Sequence, residues 1–447
     1  MQLTKMPKYD AYKDSGVEWL GEIPESWSLL ANKYIFKLKK NLVGKKSKDY
    51  DLLSLTLKGV IKRDMENPEG KFPAEFDTYQ EVKKNDFIFC LFDVEETPRT
   101  VGLSLYDGMI TGAYTVMSVY NININYLYYF YLNLDSKKRL KPLYKGLRNT
   151  IPKDIFFSFK TFVPSTHEQT LIAKFLDQKT AQIDKAIEIK HKQIELLKEQ
   201  KQIVINNAVT KGLDPNVPMK DSGIEWIGEI PQGWEVKKIK HVTCKIGSGI
   251  TPSGGGTTYL EEGGVPLLRS QNVHFGRIDL SDVARISEGI HESMKNSQVR
   301  NGDVLLNITG GSIGRCHYVE TDERLNVNQH VCIVRPKTIE TKYLNFILAS
   351  EIGQGQIWFF QQGGGREGLN FQALKNFFIP CPTTLLKQQQ IVAYIEEKTS
   401  KIDKAIKLQN NQIDKLKEYK ASLINSVVTG KVRVTDEMVN SKGDINE

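Results

Sequence analysis

From Ile183 the apolar positions step by fours and threes: Ile183, Ile187, Lys190, Ile194, Leu197, Lys201, Val204, Ala208. A later stretch repeats the step: Ile402, Ile406, Gln409, Ile413, Leu416, Lys420, Leu423, Val427. Such spacing predicts a heptad seam on each of two long helices, with polar interruptions at matching places. Thr166-His167-Glu168-Gln169 offers a capping box at the first helix start. Gly212 and then Pro215 stop that helix, and Gly430 stops the second. At 1.5 Å per residue each helix spans roughly 60 Å. A helix laid on its own globular core would need a broader apolar face; a narrow seam flanked by charge suits a partner helix. The nearest partner is the other copy. A two-fold relating the copies and crossing the pair makes the helices antiparallel, with Lys190, Lys201, Gln409 and Lys420 helping to set register.

The helices belong to a larger repeat. "DSGVEWLGEIPESW" at 14–27 returns as "DSGIEWIGEIPQGW" at 221–234, with ten of fourteen letters identical. "KTAQIDKAI" at 179–187 returns as "KTSKIDKAI" at 398–406. One unit therefore runs from Asp14 to about Gly212 and a second from Asp221 to about Gly430. The period is far longer than that of a solenoid or propeller. Trp226, Ile230, Pro231 and Trp234 read as a packed lead-in to the second unit. Where the first long helix has Glu168-Gln169 near its start, the second has Lys387-Gln388-Gln389.

Between the repeated phrases lie two blocks, 28–163 and 235–381, whose letters hardly match although their order does. The first holds "KKNDFIFCLF", "MITGAYTVMSVY", "NYLYYFYLN" and "YKGLRNTIPKDIFFSF". The second holds "RNGDVLLNITG", "LNVNQHVCIVRP", "KYLNFILAS" and "QQGGGREGLNFQALKNFF". Each set reads as strand, strand, short aromatic-rich helix, Gly/Arg loop and an apolar segment ending in Pro. The prediction is one α/β (α+β) fold used twice, with different surfaces on it.

Composition narrows the function without naming it. A chain of 447 residues needs two or three domains. No apolar run is long enough for a membrane span, and the N-terminus has no apolar signal core. The five cysteines are scattered and form no CxxC pair, which fits a reducing cytoplasm and argues against disulfides and structural zinc. A net charge of +8 permits a polyanionic partner.

No catalytic signature stands out. There is no GxxxxGK[ST], GxSxG, HExxH or [DN]PP[YF] motif. "GSGITPSGGG" carries Pro252 at the third fingerprint position, and "TGGSIG" has no acidic partner that can be placed. His317 and His330 lie near Cys316 and Cys332 without ligand spacing, so no metal site is expected.

The remaining polar residues suit binding. "LLRSQNVHFGRI" supplies Arg269, Ser270, Gln271, Asn272, His274 and Arg277, types that read bases in the major groove. Asn307, Thr309, Ser312 and Arg315 sit on a Gly-rich loop that lets backbone approach phosphate, and Arg366 and Asn370 follow. The first block offers Lys58, Lys62, Arg63, Arg99, Lys145, Arg148, Asn149 and Lys153. Singly, each could be an ordinary surface residue; the loops taken together, in two copies, point to DNA.

These phrases, their junctions at "HEQTLIAKFLDQKTAQID" and "KQQQIVAYIEEKTSKID", and "PLLRSQNV" with "GDVLLNITGGSIGRC" and "NVNQHVCIVRP", resemble the DNA-specificity subunit of type I restriction-modification systems. The resemblance runs from about Tyr9 to Val434. It implies target recognition domains at 1–164 and 213–382, lead-ins included. Spacer helices at 165–212 and 383–430 would form an antiparallel two-helix coiled coil, with a tail at 431–447. It implies a non-catalytic cytoplasmic protein that reads a bipartite, asymmetric duplex. Its partners would be two adenine-N6 methyltransferase subunits and an ATP-dependent restriction and translocation subunit. S-adenosylmethionine would belong to the methyltransferase, and this chain would bind no cofactor. The rival readings are a self-contained DNA-modifying enzyme with an unrecognised active site and a coiled-coil scaffold without sequence preference. Exchanging residues 235–381 for the corresponding block of another specificity subunit is expected to change one half of the target; methylation mapping that showed both halves changed would reject two independent readers.

Overall fold

The expected strands form, and they form twice. The computed structural model describes residues 5–16, 21–65, 75–145, 149–252, 254–361 and 368–440. They divide into two compact units, one made of residues 1–190 and 410–447 and the other of residues 191–409. Each long helix therefore contributes one part to each unit.

In the first unit, β1 (Phe36–Leu38), β4 (Phe87–Phe89), β5 (Val101–Leu103) and β6 (Thr115–Val119) make an antiparallel sheet in the order β1-β6-β4-β5. Met117 on β6 faces Leu38 on one side and Phe87 on the other. Between β1 and β4 the chain makes a hairpin of β2 (Leu53–Thr56) and β3 (Gly59–Lys62), with Leu55 opposite Val60. Gly102 on β5 lets this hairpin close in, since a Cβ there would meet Leu55 Cδ1 at 2.6 Å and Val60 Cγ2 at 2.7 Å. Helix α1 (Ile124–Ser136) follows the sheet, capped by the Asn123 side chain, which accepts from Tyr126 N–H. The core is aromatic: Phe89 lies 4.9 Å from Phe156 and 5.2 Å from Tyr131 between ring centroids. The buried Tyr131 hydroxyl donates to Asn32 Oδ1 at 2.8 Å.

In the second unit, β7 (Thr243–Ser248), β10 (Val304–Asn307), β11 (Cys316–Tyr318) and β12 (Val331–Pro336) repeat the sheet in the order β7-β12-β10-β11. Val304 pairs with Val334 and Leu306 with Cys332. A small hairpin, β8 (Val273–His274) with β9 (Arg277–Ile278), packs on β11 as β3 packs on β5. Helix α3 (Thr341–Ala349) takes the place of α1. Here the core is aliphatic, built from Val304, Leu306, Cys316, Cys332, Val334, Leu344 and Ile347. Burial pushes the Cys316 and Cys332 thiols up to about 12, so both remain unreactive.

Two features departed from the pattern. The edge strands β5 and β11 are three residues each, too short to show alternation. An additional helix, α4 (Glu351–Gln361), follows α3, where the first unit has only a short turn.

The long helices are α2 (Thr166–Lys211, 46 residues) and α5 (Leu385–Val428, 44 residues). Within the first unit, Lys420 Nζ lies 2.6 and 2.7 Å from the Asp184 carboxylate oxygens, and Lys190 donates to Gln412. Positions rise along one helix as they fall along the other, so the segments run antiparallel. Within the second unit, Lys201 Nζ lies 2.7 and 2.8 Å from the Asp403 carboxylate oxygens. Ile183, Ile194, Ile402, Ile413 and Leu423 are buried; Ile187, Leu197, Val204, Ile406 and Leu416 are half-buried. Among the described residues no helix is long and apolar enough to cross a membrane.

The capping box begins one residue earlier than expected. Ser165 Oγ accepts from Glu168 N–H at 3.3 Å, and a Glu168 oxygen accepts from Ser165 N–H at 3.4 Å. Gln388 occupies the place of Gln169. Gln169 donates to Pro164 O at 2.9 Å and accepts from Asn123 N–H at 2.8 Å. Gln388 donates to Pro382 O at 3.2 Å and accepts from Glu340 N–H at 2.8 Å.

The repeated phrase is a socket for a helix end. In the second unit Gly212, which closes α2, lies against Pro231 and Trp234. In the first unit Gly430, which closes α5, lies against Pro24 and Trp27. Trp234, Ile230 and Trp27 are buried, but Trp226 is 53% exposed, its ring tilted 6.4 Å from that of Phe378, so it is not part of the packed lead-in. Gly430 has φ +72, and a Cβ would stand 2.2 Å from Pro24 Cδ; Gly16 has φ +66 with open space around it. Gly430→Ala is expected to cost more than the roughly 1 kcal/mol of a positive φ alone, and Gly16→Ala about that much. Denaturant titration of the two variants compares them directly, and equal losses would deny the socket.

Candidate nucleic-acid interface

Strand β10 ends at Asn307, whose side chain turns inward. It is fully buried, and its Nδ2 donates to Ser270 O at 2.7 Å, Val273 O at 3.3 Å and Ser312 Oγ at 3.3 Å. One amide thus ties together two 3-10 turns, Ser270–Asn272 and Gly310–Ser312. Asn272 closes the first turn: its Oδ1 accepts from Arg269 N–H at 2.9 Å and its Nδ2 donates to Asp279 O at 3.0 Å.

Several residues expected at the DNA surface are therefore bracing groups. Asn272 and Asn307 are buried and hydrogen-bonded to backbone, so neither amide is presented to a base. Thr309 Oγ1 is engaged with His330 Nδ1 at 2.6 Å. Asn370 caps the helix Phe371–Lys375, accepting from Ala373 N–H at 2.7 Å. Arg269 is half-buried, its guanidinium 5.9 Å from the Tyr259 ring centre and donating to Asp282 O at 3.4 Å. What stays outward in the second unit is Ser270, Gln271, His274, Arg277, Ser312 and Arg315, all exposed or half-exposed. Gln271 Nε2 reaches Asp282 Oδ2 at 3.3 Å. Arg277 is 68% exposed, with its Nη2 3.7 Å from Asp279. Hydrogen bonds from Ser281 hold the Asp279 carboxyl below its usual range.

In the first unit Arg99 also turns inward. Its Nη2 donates to Leu57 O at 2.9 Å, and its Nη1 lies 3.8 Å from the buried Asp135 carboxylate. It supports the β2–β3 turn and does not reach outward. Lys62 pairs with Asp51 at 2.5 Å and lies 5.4 Å from the Tyr106 ring centre; the hydrogen bond to Asp51 raises its pKa. Arg63 is half-buried beside β3, with its N–H donating to Leu52 O at 2.8 Å. Lys58, Lys145, Asn149 and Lys153 are exposed. Arg148 and Arg366 lie outside the described residues.

A basic stretch escaped the sequence reading. Lys33, Lys37, Lys40, Lys45, Lys46 and Lys48 are exposed, while Lys39 pairs with Asp86 at 2.6 Å. The signal was available, because no acidic residue occurs between Glu25 and Asp49. Among the described residues no group of three or more His, Cys, Asp or Glu could hold a metal ion.

A family model described as "Type I restriction modification DNA specificity domain" matches residues 231–418, a range that contains both braced turns. Over that range the chain resembles the DNA specificity domain of type I restriction-modification systems. It is similar to the type I restriction enzyme MjaVIII specificity subunit of Methanocaldococcus jannaschii, 29% identical over 73% of this chain and 75% of that one. It is 28% identical to the EcoBI specificity subunit of Escherichia coli over 60% of this chain and 58% of that one. A solved chain from a structural study of complex assembly and conformational transition in the type I R-M system superposes with a TM-score of 0.63. That chain is 14% identical, over 91% of this chain and 98% of its own length, a likeness of fold. The braces and the outward groups differ in how they respond to substitution. Asn307→Ala strips partners from two carbonyls and is expected to cost about 1–3 kcal/mol of stability. Gln271→Ala is expected to stay within about 0.5 kcal/mol; chemical denaturation distinguishes them, and a silent Asn307→Ala would undo the bracing role.

Proposed function

We propose that each unit of this specificity subunit reads one part of a bipartite, asymmetric DNA target, while partner subunits do the chemistry. One observation carries the reading. The two units share a sheet order, a buried glutamine and a helix-end socket, yet they expose different groups at the same turns and hairpin. Duplicated scaffolds with unlike surfaces fit two unlike half-sites. Arg277, Gln271 and Arg315 suit base edges in the second half-site. Lys58 and the lysines of 33–48 suit phosphates in the first, which makes binding salt-dependent.

The antiparallel helices α2 and α5 form the coiled-coil spacer in this reading, with the matched pairs Lys420–Asp184 and Lys201–Asp403 guarding register. Such exposed pairs add little stability, about 0–1 kcal/mol each, so register is their main contribution. Two adenine-N6 methyltransferase subunits dock one per half and supply the S-adenosylmethionine chemistry, which requires the target adenine to leave the stack. An ATP-dependent restriction subunit completes the assembly in the cytoplasm. Methylated adenines mapped genome-wide, with and without this chain, test the proposal. A single two-part motif should vanish when the chain is removed; methylation that persists unchanged would refute it, and methylation by the purified chain alone would favour a self-contained enzyme.

A further inference from the structure

Both hairpins turn through an exposed apolar side chain. In the first unit β2 and β3 turn through Leu57 and Lys58, and Leu57 is 65% exposed. In the second, β8 and β9 turn through Phe275 and Gly276, and Phe275 is 52% exposed. A single solvated apolar residue needs no explanation. Three observations set this pair apart.

The first is position, since each hairpin packs on the equivalent edge strand, β5 or β11. The second is bracing. Arg99 reaches from the Asp135 carboxylate to donate to the Leu57 carbonyl itself. Asn307 donates to the Val273 carbonyl at the root of the other hairpin. Both units thus use a polar side chain to fix an element whose apolar tip faces solvent. The third is charge, because Lys58 and Lys62 flank one tip and Arg277 the other.

The identity of the tips bears on what they meet. Surfaces that do the same job in both units use the same residues, as Pro24 and Trp27 match Pro231 and Trp234. The tips do not match; one is Leu and the other Phe. A partner docked once per unit would meet like residues, whereas two unlike half-sites would meet unlike ones.

We propose that Leu57 and Phe275 are wedge residues, each entering a DNA groove and partly unstacking one base step of its own half-site. A two-stranded ribbon fits the major groove, inserted Phe and Leu side chains unstack base steps, and the flanking cations meet phosphates. The inference rests on the proposed reading of a bipartite target.

The test uses the chain assembled with its methyltransferase subunits and a duplex carrying the mapped target, with 2-aminopurine placed step by step through each half. Apart from the target adenine that the methyltransferase flips, the wild-type assembly should brighten the probe at one further step in each half-site, and that further step is the signal read below. Phe275→Ala should abolish the signal in one half only, and Leu57→Ala in the other. Each should weaken specific binding by about tenfold or more and leave random-duplex binding and thermal stability unchanged. Phe275→Leu should retain the signal. Unchanged affinity and signal in the alanine variants would overturn the wedge. Loss of assembly with the methyltransferase would overturn it in favour of protein docking. A wild-type assembly with no preferred duplex would instead overturn the bipartite reading itself.

Discussion

Each unit hangs on one buried glutamine. Gln169 and Gln388 sit in the first turns of the long helices, 2% exposed in each case, and use both ends of the amide. One end holds the carbonyl of a proline, Pro382 at the end of the preceding strand or Pro164 just after it, and the other holds the backbone N–H of the residue that caps α1 or α3. Strand, short helix and long helix therefore meet at one side chain. An unpaired buried amide group is costly, about 1–3 kcal/mol, so this junction tolerates little else. The neighbouring tyrosines tighten it, with Tyr126 donating to Phe162 O and Tyr343 to Pro380 O. With the junction fixed, the sheet stands in a set orientation to its own helix, and the variable turns are free to differ.

That division explains which parts of the fold were legible. The helices announced themselves through a heptad step sustained over dozens of residues, and the sockets through a repeated phrase. The sheets were legible as an order of strands although their letters disagree, because one core is built of Phe36, Phe87, Phe89 and Phe156 and the other of Val304, Leu306 and Val334. Volume can be redistributed between aromatic and aliphatic side chains while topology persists. The edge strands were not legible, since three residues cannot display a period.

The residue types of the candidate interface misled in detail. Asparagine is short and carries both a donor and an acceptor, so it suits an adenine edge and a pair of backbone groups equally well. Sequence shows the residue type but not the direction of its side chain. Asn272, Asn307 and Arg99 all point inward, and each holds a turn that presents other residues. Leu57 and Phe275 carry no signal of exposure in the sequence, since an apolar letter beside a strand fits a core as well as a turn. The lysines between 33 and 48 are visible only as a run without acidic residues, not as a motif.

The closing of α5 onto the first lead-in has a consequence for synthesis. Tyr12 donates to Gly430 O, and Arg433 N–H donates to Pro7 O. The first unit therefore includes strands from the start of the chain and a helix made some four hundred residues later. The second unit, 191–409, is continuous. On the ribosome the later-numbered unit has all its residues before the earlier one does. The socket around Trp27 stays open until α5 has been made, so the nascent chain exposes apolar surface there while the whole second unit is synthesised.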